Sequence, residues 1–221
     1  MSIQTQLKEV LENIPNHVTL VAVSKTKPNE DILAAYQAGQ RIFGENKVQE
    51  MTAKYEALPK DIQWHLIGHL QSNKVKYMAS FVALIHGVDS LKLLQEINKQ
   101  AAKHNRVIDC LLQVYIAQED TKFGFDAQEL QTLLSGNELE ILQNIKVVGL
   151  MGMATFTDDM QQIKQEFLGL KTLFDNLLAK SKFDNLEAKI CSMGMSNDYE
   201  IAIEAGSNMI RVGSKIFGSR E

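Results

Sequence analysis

Short β-branched runs alternate with longer amphipathic segments along almost the whole chain, the pattern of successive βα units wound round a parallel sheet. The candidate strands are Val18–Val23, Arg41–Phe43, Gln63–Ile67, Phe81–Ile85, Ile108–Tyr115, Lys146–Met151, Ala188–Met193 and Met209–Val212. They number roughly eight, which is what closes a barrel. Helical spacing fits between them: Ile32, Leu33, Ala35 and Tyr36 share one side before Gly39, a glycine suited to end a helix. Ser90 caps a segment with Leu91, Leu94, Ile97 and Ala101 at three- and four-residue steps, and Ile163, Phe167, Leu170, Phe174 and Leu177 repeat the pattern over Met160 to Leu178. Ile3, Leu7, Val10, Leu11 and Ile14 predict a further helix ahead of the first strand, in place of the apolar stretch of a secretion signal. The expected fold is a single (β/α)8 barrel with an extra N-terminal helix, spanning residues 1–221.

The bulk properties agree with one such unit. A chain of 221 residues, 45% hydrophobic, is long enough to bury a large core. Three prolines, at positions 15, 28 and 59, and no Ser/Gly tract leave no marked boundary, and only Gly213 to Glu221 follow the last candidate strand, too few for a second domain. Lys and Arg number 23 against 27 Asp and Glu, so the basic excess that a nucleic-acid partner requires is missing. No run approaches the ~18 apolar residues of a membrane span. Cys110 and Cys191 lie in apolar strand-like runs and are expected to be reduced core thiols, which implies a cytoplasmic protein. A monomer is the expected oligomeric state.

In a βα barrel the segments after the strand C-termini build the site. Here they carry Ser24-Lys25-Thr26-Lys27-Pro28, Gly44-Glu45-Asn46, Gly68-His69-Leu70-Gln71, Gly194-Met195-Ser196-Asn197-Asp198 and Gly213-Ser214-Lys215. A lysine directly off an apolar strand points across the barrel mouth, where desolvation lowers its pKa and frees the amine to attack an aldehyde. Lys25 and Lys27 compete for that role, and periodicity does not choose between them. Ser196 opens what looks like an N-capped helix, and Gly213-Ser214 offers a second set of backbone donors, so the two sets together suit a phosphate. Arg211 interrupts a run that should be buried; it needs either an inward carboxylate such as Glu45 or a ligand's ring nitrogen or phosphate. His65 and His69 lack helical zinc-pair geometry, and no metal site is expected. The glycines of Gly213 to Gly218 and of Gly149 to Gly152 read as turns, and Met151, Met153, Met193 and Met195 read as core filler able to pack against a flat ring. Tyr115, Lys122 and Phe123 form a candidate docking loop.

Three blocks, Val21-Ala22-Val23-Ser24-Lys25-Thr26-Lys27-Pro28, Phe43-Gly44-Glu45-Asn46-Lys47-Val48-Gln49-Glu50 and Trp64-His65-Leu66-Ile67-Gly68-His69-Leu70-Gln71-Ser72-Asn73-Lys74, closely resemble the pyridoxal phosphate homeostasis proteins. Ser192-Met193-Gly194-Met195-Ser196-Asn197-Asp198 and Ile210-Arg211-Val212-Gly213-Ser214-Lys215-Ile216-Phe217-Gly218 continue the match in the same order. The resemblance implies a barrel like the N-terminal domain of alanine racemase (a pyridoxal phosphate fold of type III), with pyridoxal 5′-phosphate held as an imine on Lys25. It further implies that Ser196 and the amides of Gly213 and Ser214 hold the phosphate, that Arg211 faces the pyridine nitrogen, and that Asn46 lies beside the ring. Gly152 and Met153 depart from the family's pattern, so the ring's neighbour on the sixth strand is not assigned.

An arginine opposite the ring nitrogen keeps that nitrogen unprotonated, which makes the ring a poor electron sink. The resemblance thus implies a non-catalytic carrier that takes part in vitamin B6 homeostasis and passes the cofactor to pyridoxal phosphate-dependent apo-enzymes. The alternative is an amino-acid racemase, which needs an acid/base on each face of the ring. A cofactor-free Schiff-base aldolase would use the same lysine and phosphate cup.

Overall fold

The computed structural model describes residues 1–118, 123–179 and 183–218. Eight parallel strands close a barrel in sequential order: β1 (Thr19–Val23), β2 (Ile42–Glu45), β3 (Gln63–Leu66), β4 (Leu84–Val88), β5 (Ile108–Gln113), β6 (Ile145–Met151), β7 (Leu186–Met195) and β8 (Met209–Val212). The barrel shuts where β1 pairs with β8, Val21 beside Arg211 and Ala22 beside Val212. Helix α1 (Ile3–Glu12), capped by Ser2, precedes the first strand as the apolar spacing predicts.

The crossovers are α2 (Asn29–Gln37), α3 (Val48–Ala57), a 3-10 segment at Ser72–Tyr77, α4 (Leu91–Lys103), α5 (Ala127–Ser135), α6 (Met160–Ala179) and α7 (Tyr199–Glu204), and α8 (Ser214–Phe217) follows β8. Ser90 accepts from the Leu93 amide, as its position predicts. Gly39 stands just past α2 with φ +102, the left-handed turn that glycine adopts at least cost. All the strands but β8 have ends shifted by one to three residues from expectation, and two of these shifts have a clear cause or consequence. The fourth begins at Leu84, because Phe81 leaves the wall and stacks on Tyr55 of α3 with ring centroids 3.9 Å apart. The second reaches Glu45, so that residue belongs to the wall and not to the loop beyond it.

Alternation along the strands sorts side chains between two layers. Outward residues such as Phe43, Trp64, Leu66, Ile85 and Leu112 pack against the helices. The inward residues Val21, Leu84, Leu111, Val148, Met151 and Met209 form a separate apolar cluster that fills the barrel. His65, His86, Gln113, Ser192 and Arg211 are also buried. They share the inward parity of that cluster and lie toward the strands' C-terminal ends, so the plug is apolar below and polar above.

The β6–β7 seam is locally tight. Gly149 has φ +153 at a register shift, and a Cβ there would lie 1.8 Å from the Ile190 carbonyl oxygen. Gly149→Ala is expected to destabilise the fold by at least about 2 kcal/mol, read from the midpoint of urea unfolding. An unchanged midpoint would contradict so close an approach.

Burial lowers the His65 imidazole to about 3 and holds His86 well below its ordinary value, with the charges of His65 and Arg211 adding to the effect on His86. Both rings are neutral in the fold, whereas an unfolded chain protonates them below a pH of about 6.5. Their contribution to stability is therefore complete above that pH and declines as pH falls below it, for His65 until about 3, at about 1.4 kcal/mol per pH unit. Urea titrations between pH 6 and 4 should give a shallower loss for His65→Gln than for the wild-type chain; parallel slopes would show that the ring is charged when buried.

Candidate functional site

A cavity of about 640 Å3 opens at the C-terminal rim of the barrel, inside the ~300–1,000 Å3 range of small-molecule sites. Lys25, Asn46, Ser196, Arg211, Gly213 and Ser214 all line it, so the fold brings together the six residues that the resemblance assigns to the cofactor. Lys27 lines it as well.

Arg211 stands on the floor, where burial pushes its guanidinium down to about 10 against the opposing pull of the nearby Asp198 carboxylate. It remains charged at neutral pH. Its Nη2 donates to the Gly152 carbonyl at 3.0 Å and its Nη1 to Ser192 Oγ at 2.5 Å. Ser192 Oγ lies 3.3 Å from His86 Nδ1, and His86 Nε2 lies 3.1 Å from His65 Nδ1. Since a guanidinium only donates, Ser192 Oγ accepts from Arg211, and the direction of the two contacts beyond it follows the tautomers of His86 and His65. The row fixes the guanidinium plane and leaves its remaining N–H groups for the cavity. Glu45, the carboxylate considered from the sequence, is not its partner.

Glu45 faces outward, behind the turn that carries Lys25. Its Oε1 accepts from Ser24 Oγ at 2.6 Å and from Lys54 Nζ at 2.8 Å. Lys54, on α3, also donates to the Ser24 carbonyl at 2.8 Å and to Glu50 Oε1 at 2.7 Å, so all three ammonium protons are used. Glu50 Oε1 in turn accepts from the Thr26 amide at 2.6 Å. Burial pushes the Glu45 carboxyl up, against the hydrogen bonds from Lys54 and Ser24 that pull it down. Ser24 to Lys27 form a turn closed by Lys27 N donating to the Ser24 carbonyl at 3.0 Å.

On the loop after β7, Ser196 is not a helix cap. The residue preceding α7 is Asp198, whose carboxylate instead accepts from the Met195 amide at 2.5 Å and closes the Met195–Asp198 turn. This frees Ser196 Oγ, which accepts from the Gly213 amide at 3.2 Å and ties the β7 and β8 loops together. Gly213 packs flush on β1, with space for a Cβ limited by the Val23 carbonyl oxygen at 3.1 Å. Asn46 is half-buried, and its backbone sits against Gly68, where a Cβ would lie 2.5 Å from the Asn46 carbonyl oxygen.

The rim is apolar. Phe123, Met153, Phe156 and Met160 are exposed and line the mouth, while Met151 and Met193 are core as expected. Phe123 tilts against His69, whose Nδ1 is 3.2 Å from Asp89. Tyr115 is tied into the strand region by its amide donating to the Phe125 carbonyl, and Lys122 lies outside the described residues. Thr155 holds the loop after β6 by donating through N and Oγ1 to the Glu166 carboxylate, at 2.7 Å each. Ser192, His86, Lys54 and Glu50 escaped the sequence reading. For the first two the available signal was strand parity, which puts a polar residue inside the wall on neighbouring rungs.

The family model for the alanine racemase N-terminal domain matches residues 2–221. A pyridoxal phosphate homeostasis protein from Aquifex aeolicus is 42% identical over 207 residues, 93% of this chain and 89% of the relative. PipY of Synechococcus elongatus, solved with pyridoxal phosphate bound, superposes with a TM-score of 0.88 at 35% identity, covering 98% of this chain and all of that one. Alanine racemase from Bartonella henselae shares the fold, with a TM-score of 0.73 at 17% identity over 98% of this chain and 58% of the racemase. The chain belongs to the pyridoxal phosphate homeostasis proteins, within the wider family of the alanine racemase N-terminal domain.

Proposed function

We propose that this protein binds pyridoxal 5′-phosphate as an imine on Lys25 and takes part in vitamin B6 homeostasis, holding the cofactor and passing it to apo-enzymes. The observation that carries this reading is the donor set of one cavity: an amine-bearing turn after β1, backbone amides and hydroxyls on the loops after β7 and β8, and a fixed guanidinium on the floor. That set fits a phosphorylated aldehyde with a ring nitrogen. PipY, a close relative, has been solved with pyridoxal phosphate, which supports the same ligand here.

When bound, the cofactor would supply an electrophilic aldehyde carbon. Lys25 is the amine that bonds to it, the Gly213 and Ser214 amides with Ser196 Oγ hold the phosphate, and Arg211 orients the ring by its nitrogen. The Arg211 charge, which survives burial at neutral pH, disfavours a proton on that nitrogen. Asn46 sits beside the ring. The apolar rim at Phe123, Met153, Phe156 and Met160 suits contact with a receiving protein. We place the protein in the reducing cytoplasm as a monomer built of one unit over residues 1–221; its two buried thiols, Cys191 pushed up to about 12 by burial, support that compartment. No helix among the described residues is long and apolar enough to cross a membrane. The relatives' names support a homeostatic role over a catalytic one.

Purified protein loaded with pyridoxal phosphate should absorb as a lysine imine, and Lys25→Ala should abolish that band. An alanine-loaded sample in deuterated water should keep its α-proton. A wild-type chain without the band would overturn the cofactor reading, and α-proton exchange would favour a racemase.

A further inference from the structure

Two lysines of one turn line the same cavity, and the structure contains a device that discriminates between them. The Ser24–Lys27 turn is closed by Lys27 N donating to the Ser24 carbonyl, with Thr26 at φ +67. Lys25 does not share the positive φ, so the turn is of type II. Type II favours glycine at its third position, and a β-branched threonine is strained there. The same four residues close equally well as a type I turn, in which Thr26 takes an ordinary negative φ. The two forms differ by a half-rotation of the peptide between Lys25 and Thr26, which reverses the direction of the Thr26 N–H.

That N–H is the one held by Glu50 at 2.6 Å. The acceptor is itself fixed, since Lys54 Nζ donates to the same Glu50 oxygen and to the Ser24 carbonyl, the turn's own closing acceptor. Glu50 and Lys54 stand four residues apart on α3, whose buried Val48 and Met51 pack it against the barrel. The carboxylate thus rewards only the strained form.

We propose that Glu50, steadied by Lys54, is a positioning residue that selects Lys25 over Lys27 as the amine presented to an aldehyde, by fixing the plane of the Lys25–Thr26 peptide. This rests on the cofactor reading above. Without Glu50 the turn relaxes toward type I, the Lys25 stem is re-aimed, and the two amines compete.

The test loads the intact chain with pyridoxal phosphate, reduces it with borohydride and maps the pyridoxyl adduct between the two lysines by peptide mass spectrometry. The wild-type adduct should fall on Lys25. In Glu50→Ala the ratio of Lys25 to Lys27 adduct should drop by about tenfold, the scale of one charge-assisted hydrogen bond acting on a two-state turn. Glu50→Gln, which keeps an acceptor oxygen, should retain the preference. Adding Thr26→Gly to Glu50→Ala should restore it, because glycine holds a positive φ without strain. Glu50→Asp, which withdraws the acceptor by one methylene, should move the adduct toward Lys27 and serves if the alanine variant does not fold. A Lys25 adduct in the wild-type chain that is undiminished in both Glu50→Ala and Glu50→Asp would overturn this inference alone. Absence of any adduct from the wild-type chain would overturn the cofactor reading and the inference with it.

Discussion

Strand β1 hydrogen-bonds to β8 with Val21 beside Arg211, and this seam brings the two ends of the barrel together at one mouth. Lys25 leaves the top of one strand, and Arg211, Gly213 and Ser214 stand at the top of the other. An open parallel sheet of the same eight strands would leave these groups at opposite edges. Closure in turn requires a filled interior, supplied below by Val21, Leu84, Leu111, Val148 and Met209. The apolar plug lets the layer above it be polar without admitting water from beneath.

Two polar networks then occupy the two sides of this wall. Inside, Arg211, Ser192, His86 and His65 form a hydrogen-bonded row that begins with the guanidinium donating to Ser192. Its histidines stay neutral, so the guanidinium is the row's one charge, with the Asp198 carboxylate countering the effect of burial on it. Outside, Glu45, Lys54 and Glu50 brace the Ser24 to Lys27 turn from behind. Buried charge is costly unless paired and hydrogen-bonded; Lys54 pairs with Glu45 and Glu50 in the outer network, whereas Arg211 is held by neutral acceptors, Ser192 Oγ and the Gly152 carbonyl. The floor is held from within the barrel, and the amine-bearing turn from the helix layer.

The barrel was legible because strand parity and strand number are properties of local pattern: all eight strands and the helices with clean apolar spacing stand close to where the sequence puts them. Boundaries failed where a residue's partner is remote. Phe81 continues an apolar run, yet it stacks on Tyr55, and the strand starts later. Ser196 has the type and place of a cap, but Asp198 takes the position before α7 and Ser196 turns to Gly213 instead. Arg211 was recognisable as a buried charge in need of a partner; that the partner is a serine backed by two histidines is a tertiary fact that no spacing encodes. The choice between Lys25 and Lys27 was equally closed to periodicity, since a turn abolishes parity. Resemblance to a family favours Lys25, and the bracing of the turn by Glu50 and Lys54 offers a physical reason.

The central claim is that the amine at the top of β1 and the anion-suited loops after the neighbouring strands β7 and β8 grip the two ends of a single molecule. A crystal structure of the chain soaked with pyridoxal phosphate tests it most directly. The account predicts density continuous from Lys25 Nζ into the ring, the ring nitrogen facing Arg211, and the phosphate within hydrogen-bond reach of Ser196, Gly213 and Ser214. A ligand bonded elsewhere, or a phosphate turned away from the loop after β8, would contradict it.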